Sequence, residues 1–71
     1  MNSAQHQDLR ILRMHDVLKK TGLGRSSLYN RIRAGKFPPA VSLGGNAVGW
    51  PEFAVDEWIA QRMREAGYPV K

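Results

Sequence analysis

Apolar positions along the chain fall into four groups whose spacing differs. Met14, Val17 and Leu18 recur at helical intervals, with Asp16 early and Lys19 and Lys20 late, the order a helix dipole favours. A first helix is predicted over 15–21, followed by Gly22 where a left-handed residue ends the helix. At under two turns it needs tertiary partners. Leu28 and Ile32, four apart, mark a second helix over 25–34. Gly24 serves as its N-cap, and Leu23 and Leu28 hold the spacing of a hydrophobic staple. Gly35 and Pro38 stop it. Val41 and Leu43, then Val48 and Trp50, alternate on either side of Gly44-Gly45-Asn46 after an extended Pro38-Pro39 entry, which reads as a β-hairpin. Val55, Trp58, Ile59 and Met63 follow i, i+3, i+4, i+8 and predict a third helix over 51–66, with Pro51 at its first position and Gly67 closing it. Residues 1–8 and 67–71 read as tails, and Leu9 to Met14 as a short extended lead-in. The expectation is one domain over 9–66, mainly α with a small β-hairpin, and a core containing Phe37, Trp50, Phe53 and Trp58.

Charge adds a direction to that frame. Eleven Lys and Arg stand against six Asp and Glu among 71 residues, a net charge of +5, which favours a polyanionic partner. The distribution says more than the sum. Lys19, Lys20, Arg25, Arg31, Arg33 and Lys36 follow one another with no acidic residue between them. Cysteine is absent, excluding disulfides and thiolate metal sites, and His6 and His15 are too few for a zinc site without carboxylates. No apolar run approaches the ~20 residues of a membrane span, and the polar start lacks the apolar stretch of a secretory signal. A cytoplasmic, nucleoid-associated protein with no cofactor and no membrane partner is expected. Catalysis has no support: Tyr29 or Ser26 as a recombinase nucleophile would need activating Arg, His and Lys groups on a larger scaffold.

Helix, a three-residue glycine-containing turn, then helix is the layout of a helix-turn-helix, whose second helix enters the major groove of DNA. With Leu28 and Ile32 facing inward, Ser26, Asn30 and Arg33 point outward at i, i+4 and i+7, bordered by Ser27 on one side and by Arg25 and Tyr29 on the other. Arg31 lies on the opposite shoulder, its stem along the domain and its guanidinium free to reach out. Arg33 suits guanine O6 and N7, Asn30 suits adenine, and the serines suit base or phosphate. Lys19, Lys20, Arg25 and Lys36 are assigned to phosphate. The hairpin stands as a two-stranded wing, and its Gly44-Gly45-Asn46 tip carries nothing bulky to keep it from DNA.

These residues are also familiar as a set. Val17-Leu18, Thr21-Gly22-Leu23, Arg25-Ser26-Ser27-Leu28-Tyr29, Gly35, Phe37-Pro38, Leu43, Val48-Gly49-Trp50, Val55 and Trp58-Ile59 occur in an order that resembles the AlpA family of phage and prophage transcriptional regulators. That family belongs with excisionase and MerR-like winged helix-turn-helix proteins, and the likeness covers about residues 9–64. It implies a small DNA-binding protein of phage or mobile-element type acting at promoters or attachment sites. It also implies that Ser26, Ser27, Asn30 and Arg31 lie on the recognition helix, and that the hairpin is the wing. The chain departs from the family pattern at Gly24, often serine, and near Asn46, where the wing usually carries an arginine.

The leading expectation is a sequence-specific regulator on double-stranded DNA, working as paired or tandem copies and with RNA polymerase. An excisionase-like recombination directionality factor serving an integrase uses the same module, and a promoter reporter beside an excision assay separates the two. A third reading is a protein-binding adaptor acting through the third helix, with Phe53, Trp58 and Met63 as its patch; exposure of those side chains favours it.

Overall fold

The computed structural model describes residues 9–70. Three helices and three strands follow one another as β1 (Ile11–Leu12), α1 (Met14–Thr21), α2 (Arg25–Arg33), β2 (Val41–Gly44), β3 (Ala47–Pro51) and α3 (Glu52–Glu65). This is the winged helix-turn-helix arrangement, with one addition. The extended lead-in becomes a strand: Ile11 pairs with Pro51 and Leu12 with Trp50, antiparallel, so the wing is the far half of a sheet ordered β1-β3-β2. The Glu52 N–H donates to the Arg10 carbonyl at 2.8 Å, extending that ladder by one bond.

Boundaries shift by about a residue for identifiable reasons. α1 starts at Met14 because the Asp16 carboxylate accepts the Arg13 N–H, at 3.4 Å, and sets the helix start one position earlier. Pro51 is the N-cap of α3 rather than its first helical residue, because it still belongs to β3. In the hairpin Val41 pairs with Gly49, Ser42 with Val48 and Gly44 with Ala47, leaving Leu43 as an extra residue in a bulge. The Gly44 N–H donates to Ser42 Oγ at 3.3 Å beside it, and Gly45-Asn46 makes the turn.

Leu12, Val17, Leu28, Phe37, Trp50 and Val55 form the buried core, so every helix contributes one residue, as do β1, β3 and the α2–β2 connection. Trp50 Nε1 donates to the Pro38 carbonyl at 3.0 Å and Trp58 Nε1 to the Lys36 carbonyl at 2.8 Å. These two bonds fasten the long connection leaving α2. Trp58 is half-buried and meets Phe37 edge-on, with ring centroids 4.9 Å apart.

Phe53 departs from the expected core, and Met63 departs from the apolar face expected of the third helix. Phe53 is 58% exposed, since it lies two residues before Val55 and so about 200° round the helix from it. Met63, 40% exposed, sits one turn beyond Ile59, past the last core contact. Gly49 is buried and must be glycine: a Cβ there would overlap the Ile11 Cγ2 methyl and come within 3.0 Å of the Leu12 carbonyl oxygen. That close approach is what lets β1 lie across β3.

Candidate nucleic-acid interface

The corner between α1 and α2 is Gly22-Leu23-Gly24, and it is tied at both ends. Gly22, at φ 77°, donates its N–H to the Leu18 carbonyl at 2.8 Å, closing α1. Thr21 Oγ1 donates to the Val17 carbonyl at 2.8 Å and accepts the Leu23 N–H at 3.2 Å. Leu23 then packs on the core and Leu28 is wholly buried, so the staple read from spacing is in place. α2 is held from behind and its roll about its own axis is fixed. Its end is equally defined. Gly35, at φ 73°, donates to Ile32 and the Lys36 N–H to the Arg31 carbonyl at 2.8 Å, the paired bonds of a Schellman cap.

Held this way, α2 exposes Arg25, Ser26, Tyr29, Asn30, Arg31 and Arg33, with Ser27 half-buried at the edge of that face. Two side chains are coupled. Arg33 Nη2 donates to Asn30 Oδ1 at 2.7 Å, so the amide oxygen is turned to the guanidinium and the amide NH2 is left outward. Arg31 lies back along the helix, Nη1 reaching the Ser27 carbonyl at 3.4 Å. Gly24 offers no side-chain cap, so the first-turn N–H groups of α2 have no partner from that residue. Asn46 stands exposed at the wing tip, on a different element.

The carboxylates sort the cations into two populations. All five ion pairs among the described residues draw on α3: Arg10 with Glu52 at 3.6 Å, Lys20 with Glu52 at 2.8 Å and Asp56 at 2.7 Å, Arg62 with Glu65 at 2.6 Å, Arg64 with Glu57 at 3.3 Å. Lys19, Arg25, Arg31, Arg33 and Lys36 have no carboxylate partner among the described residues. Lys20, assigned to phosphate by sequence, turns toward α3 and joins it to α1. Its pKa is raised above the ordinary lysine value, first by the hydrogen bond to Asp56 and then by that to Glu52.

One contact had no signal in the sequence. Arg13, exposed and just ahead of α1, donates Nε to the Val48 carbonyl at 2.9 Å and so pins β3 of the wing to the start of the helix pair. The residues are 35 apart, and neither spacing nor charge pattern connects them.

Residues 10–63 match the family described as the prophage CP4-57 regulatory protein, AlpA. The chain belongs to the AlpA family. Among similar proteins is an uncharacterized protein, ORF88, of Enterobacteria phage P4, 48% identical over 61 residues that cover 83% of this chain and 69% of the relative. Another is the DNA-binding transcriptional activator AlpA of Escherichia coli strain K12, 37% identical over 62 residues, covering 79% of this chain and 89% of the relative. No solved structure matches. The AlpA family is one of regulatory proteins rather than enzymes. Among the described residues, no helix of this AlpA-family chain is long and apolar enough to cross a membrane.

Proposed function

We propose that this chain is a transcription regulator that binds double-stranded DNA, laying α2 in the major groove. One observation carries the reading. Among the described residues, every cation of the α1–α2 segment except Lys20 is left without a carboxylate, while α3 neutralises cations elsewhere. Uncompensated charge beside a rigidly held polar helix is what a phosphate backbone takes up, releasing counterions as it does so. The E. coli relative, a DNA-binding transcriptional activator, supports the same conclusion.

Roles then follow from position. Lys19, Arg25, Arg31 and Lys36 contact phosphate and set register, Ser26, Ser27 and Tyr29 border the groove, and Asn46 brings the wing tip against the backbone. Arg33 and Asn30 read bases together. Because Asn30 Oδ1 faces Arg33, the pair presents donors outward and suits the O6 and N7 acceptors of guanine better than adenine, whose N6 amino group needs an acceptor. Lys20 leaves the phosphate set, because Glu52 and Asp56 already hold it.

Selection from randomised duplexes, followed by fluorescence anisotropy across a salt series, tests this. Four phosphate contacts correspond to a slope of log K against log salt of about −3 to −4. A slope shallower than about −1, or equal affinity for all duplexes and for single strands, overturns the reading.

A further inference from the structure

β1 ends at Leu12, opposite Trp50, so Ala47, Val48 and Gly49 of β3 have β2 along one edge and no strand along the other. Arg13, the next residue, carries the ladder one bond further with its side chain, Nε donating to the Val48 carbonyl at 2.9 Å. That bond uses one of the five N–H groups of a guanidinium. The other four, on the two terminal nitrogens, have no partner among the described residues, and no carboxylate pairs with them. Acids nearby are engaged elsewhere. Asp16 takes only the Arg13 backbone N–H, and Glu52 goes to Arg10 and Lys20.

The wing has no cation of its own. From Phe37 to Pro51 the chain carries no charged residue, so neither strand of the hairpin nor its turn supplies one. Asn46, exposed at the tip, lies two residues from Val48, about 7 Å along the strand. A duplex that touches the tip therefore comes within reach of the Arg13 guanidinium.

We propose that Arg13 is the phosphate-binding residue of the wing, its Nε held by the Val48 carbonyl and its terminal nitrogens gripping one backbone phosphate beside Asn46. The inference rests on the DNA-binding reading above and adds a residue outside α1, α2 and the hairpin. A planar guanidinium meets a phosphate through two parallel bonds, which a lysine does not offer. Anchoring on Val48 orders the side chain before DNA arrives and reduces the cost of immobilising it on binding. The same bond holds the base of the wing against the start of α1, so one side chain sets both the wing angle and its phosphate contact. The contact positions the domain and carries no sequence information.

A chain of 71 residues is short enough for total synthesis, which permits Arg13→citrulline. The Nε–H that bonds Val48 stays, and the positive charge goes. Arg13→Gln, made recombinantly, removes the charge together with that N–H. Binding to the duplex recovered by selection is followed by anisotropy from 50 to 200 mM salt, and circular dichroism melts check that both variants are folded. The duplex is also made with a single neutral methylphosphonate at each backbone position in turn. Expected in both variants is a salt slope flatter by about 0.9, so that affinity falls about 3.5-fold less than in wild type over that range, with base preference intact. One methylphosphonate position should weaken wild type and leave the citrulline chain unaffected. An unchanged slope in either variant overturns the proposal and leaves Arg13 as a strut for the wing. A flatter slope overturns it too if every methylphosphonate costs the citrulline chain as much as wild type, since the charge then acts on no particular phosphate. Failure of the wild-type chain to bind any duplex refutes instead the DNA-binding reading beneath it.

Discussion

Lys20 separates what charge in a sequence suggests from what it does in a fold. Its Nζ lies 2.8 Å from Glu52 Oε2 and 2.7 Å from Asp56 Oδ1, and its side chain is 35% exposed. Exposed pairs of this kind contribute about 0.2–1 kcal/mol each. Lys20→Ala should therefore cost about 0.5–2 kcal/mol of stability. In a domain this small, that lowers the melting temperature by several degrees. The same substitution should leave the salt slope of DNA binding unchanged, whereas Lys36→Ala or Arg25→Ala should flatten it by about one unit with sequence preference intact. Alkaline titration adds an independent check. A lysine whose folded pKa is raised contributes stability in full below its unfolded value, near 10.5, and loses it as pH rises through the folded value. Wild type should lose stability over that alkaline window more steeply than Lys20→Ala. Thermal melts at 50 and 500 mM salt and anisotropy over the same series decide the matter. A Lys20→Ala protein of unchanged stability whose salt slope falls by one would refute the clamp and return Lys20 to the phosphate set.

Arg33→Ala should weaken the selected site by about 1–3 kcal/mol and relax one base position; Asn30→Ala should relax that same position, and an independent loss at an adenine would break the coupled-pair assignment. Gly49→Ala should destabilise by about 1–3 kcal/mol through overpacking against Ile11 and the Leu12 carbonyl. Ile11→Ala should recover part of that loss in the double variant by denaturant melts, and strict additivity would contradict the contact. Trp58→Ala should cost about 3 kcal/mol, the low end for a tryptophan because the side chain is half-buried. A folded variant of unchanged stability that fails only in binding would place Trp58 in an interface.

Elements with a local cause were legible in the chain. The staple from Leu23 to Leu28, the glycine ends at Gly22 and Gly35 and the hairpin around Gly45-Asn46 depend on residues a few positions apart, and the structure has them. What was not legible depends on distant pairing. Ile11–Leu12 becomes a strand only because Gly49, nearly forty residues on, leaves room for it. Spacing along the chain puts Phe53 with the core aromatics, yet its angle from Val55 places it outside. For the site, outward residues on α2 were recoverable from the wheel, since two buried positions fix a helix's roll. Lys19 and Lys20 could not be told apart. They are adjacent in sequence and about 100° apart on the helix, and only the position of α3 decides which of them meets a carboxylate.

That difference explains how a small basic domain directs its charge. With +5 spread evenly, each copy would be attracted to DNA by any side, and no single orientation would be favoured. α3 prevents this by holding Glu52, Asp56, Glu57 and Glu65 against Arg10, Lys20, Arg62 and Arg64, which leaves net positive charge around α2. If α2 is the face that meets DNA, as proposed, these acids disfavour docking by the opposite side, and their value lies in orientation more than in stability. Neutralising them should then raise affinity for arbitrary duplex while lowering the ratio of specific to non-specific binding. A chain that gained charge and kept its specificity ratio would show that α2, with its polar side chains, orients the domain unaided.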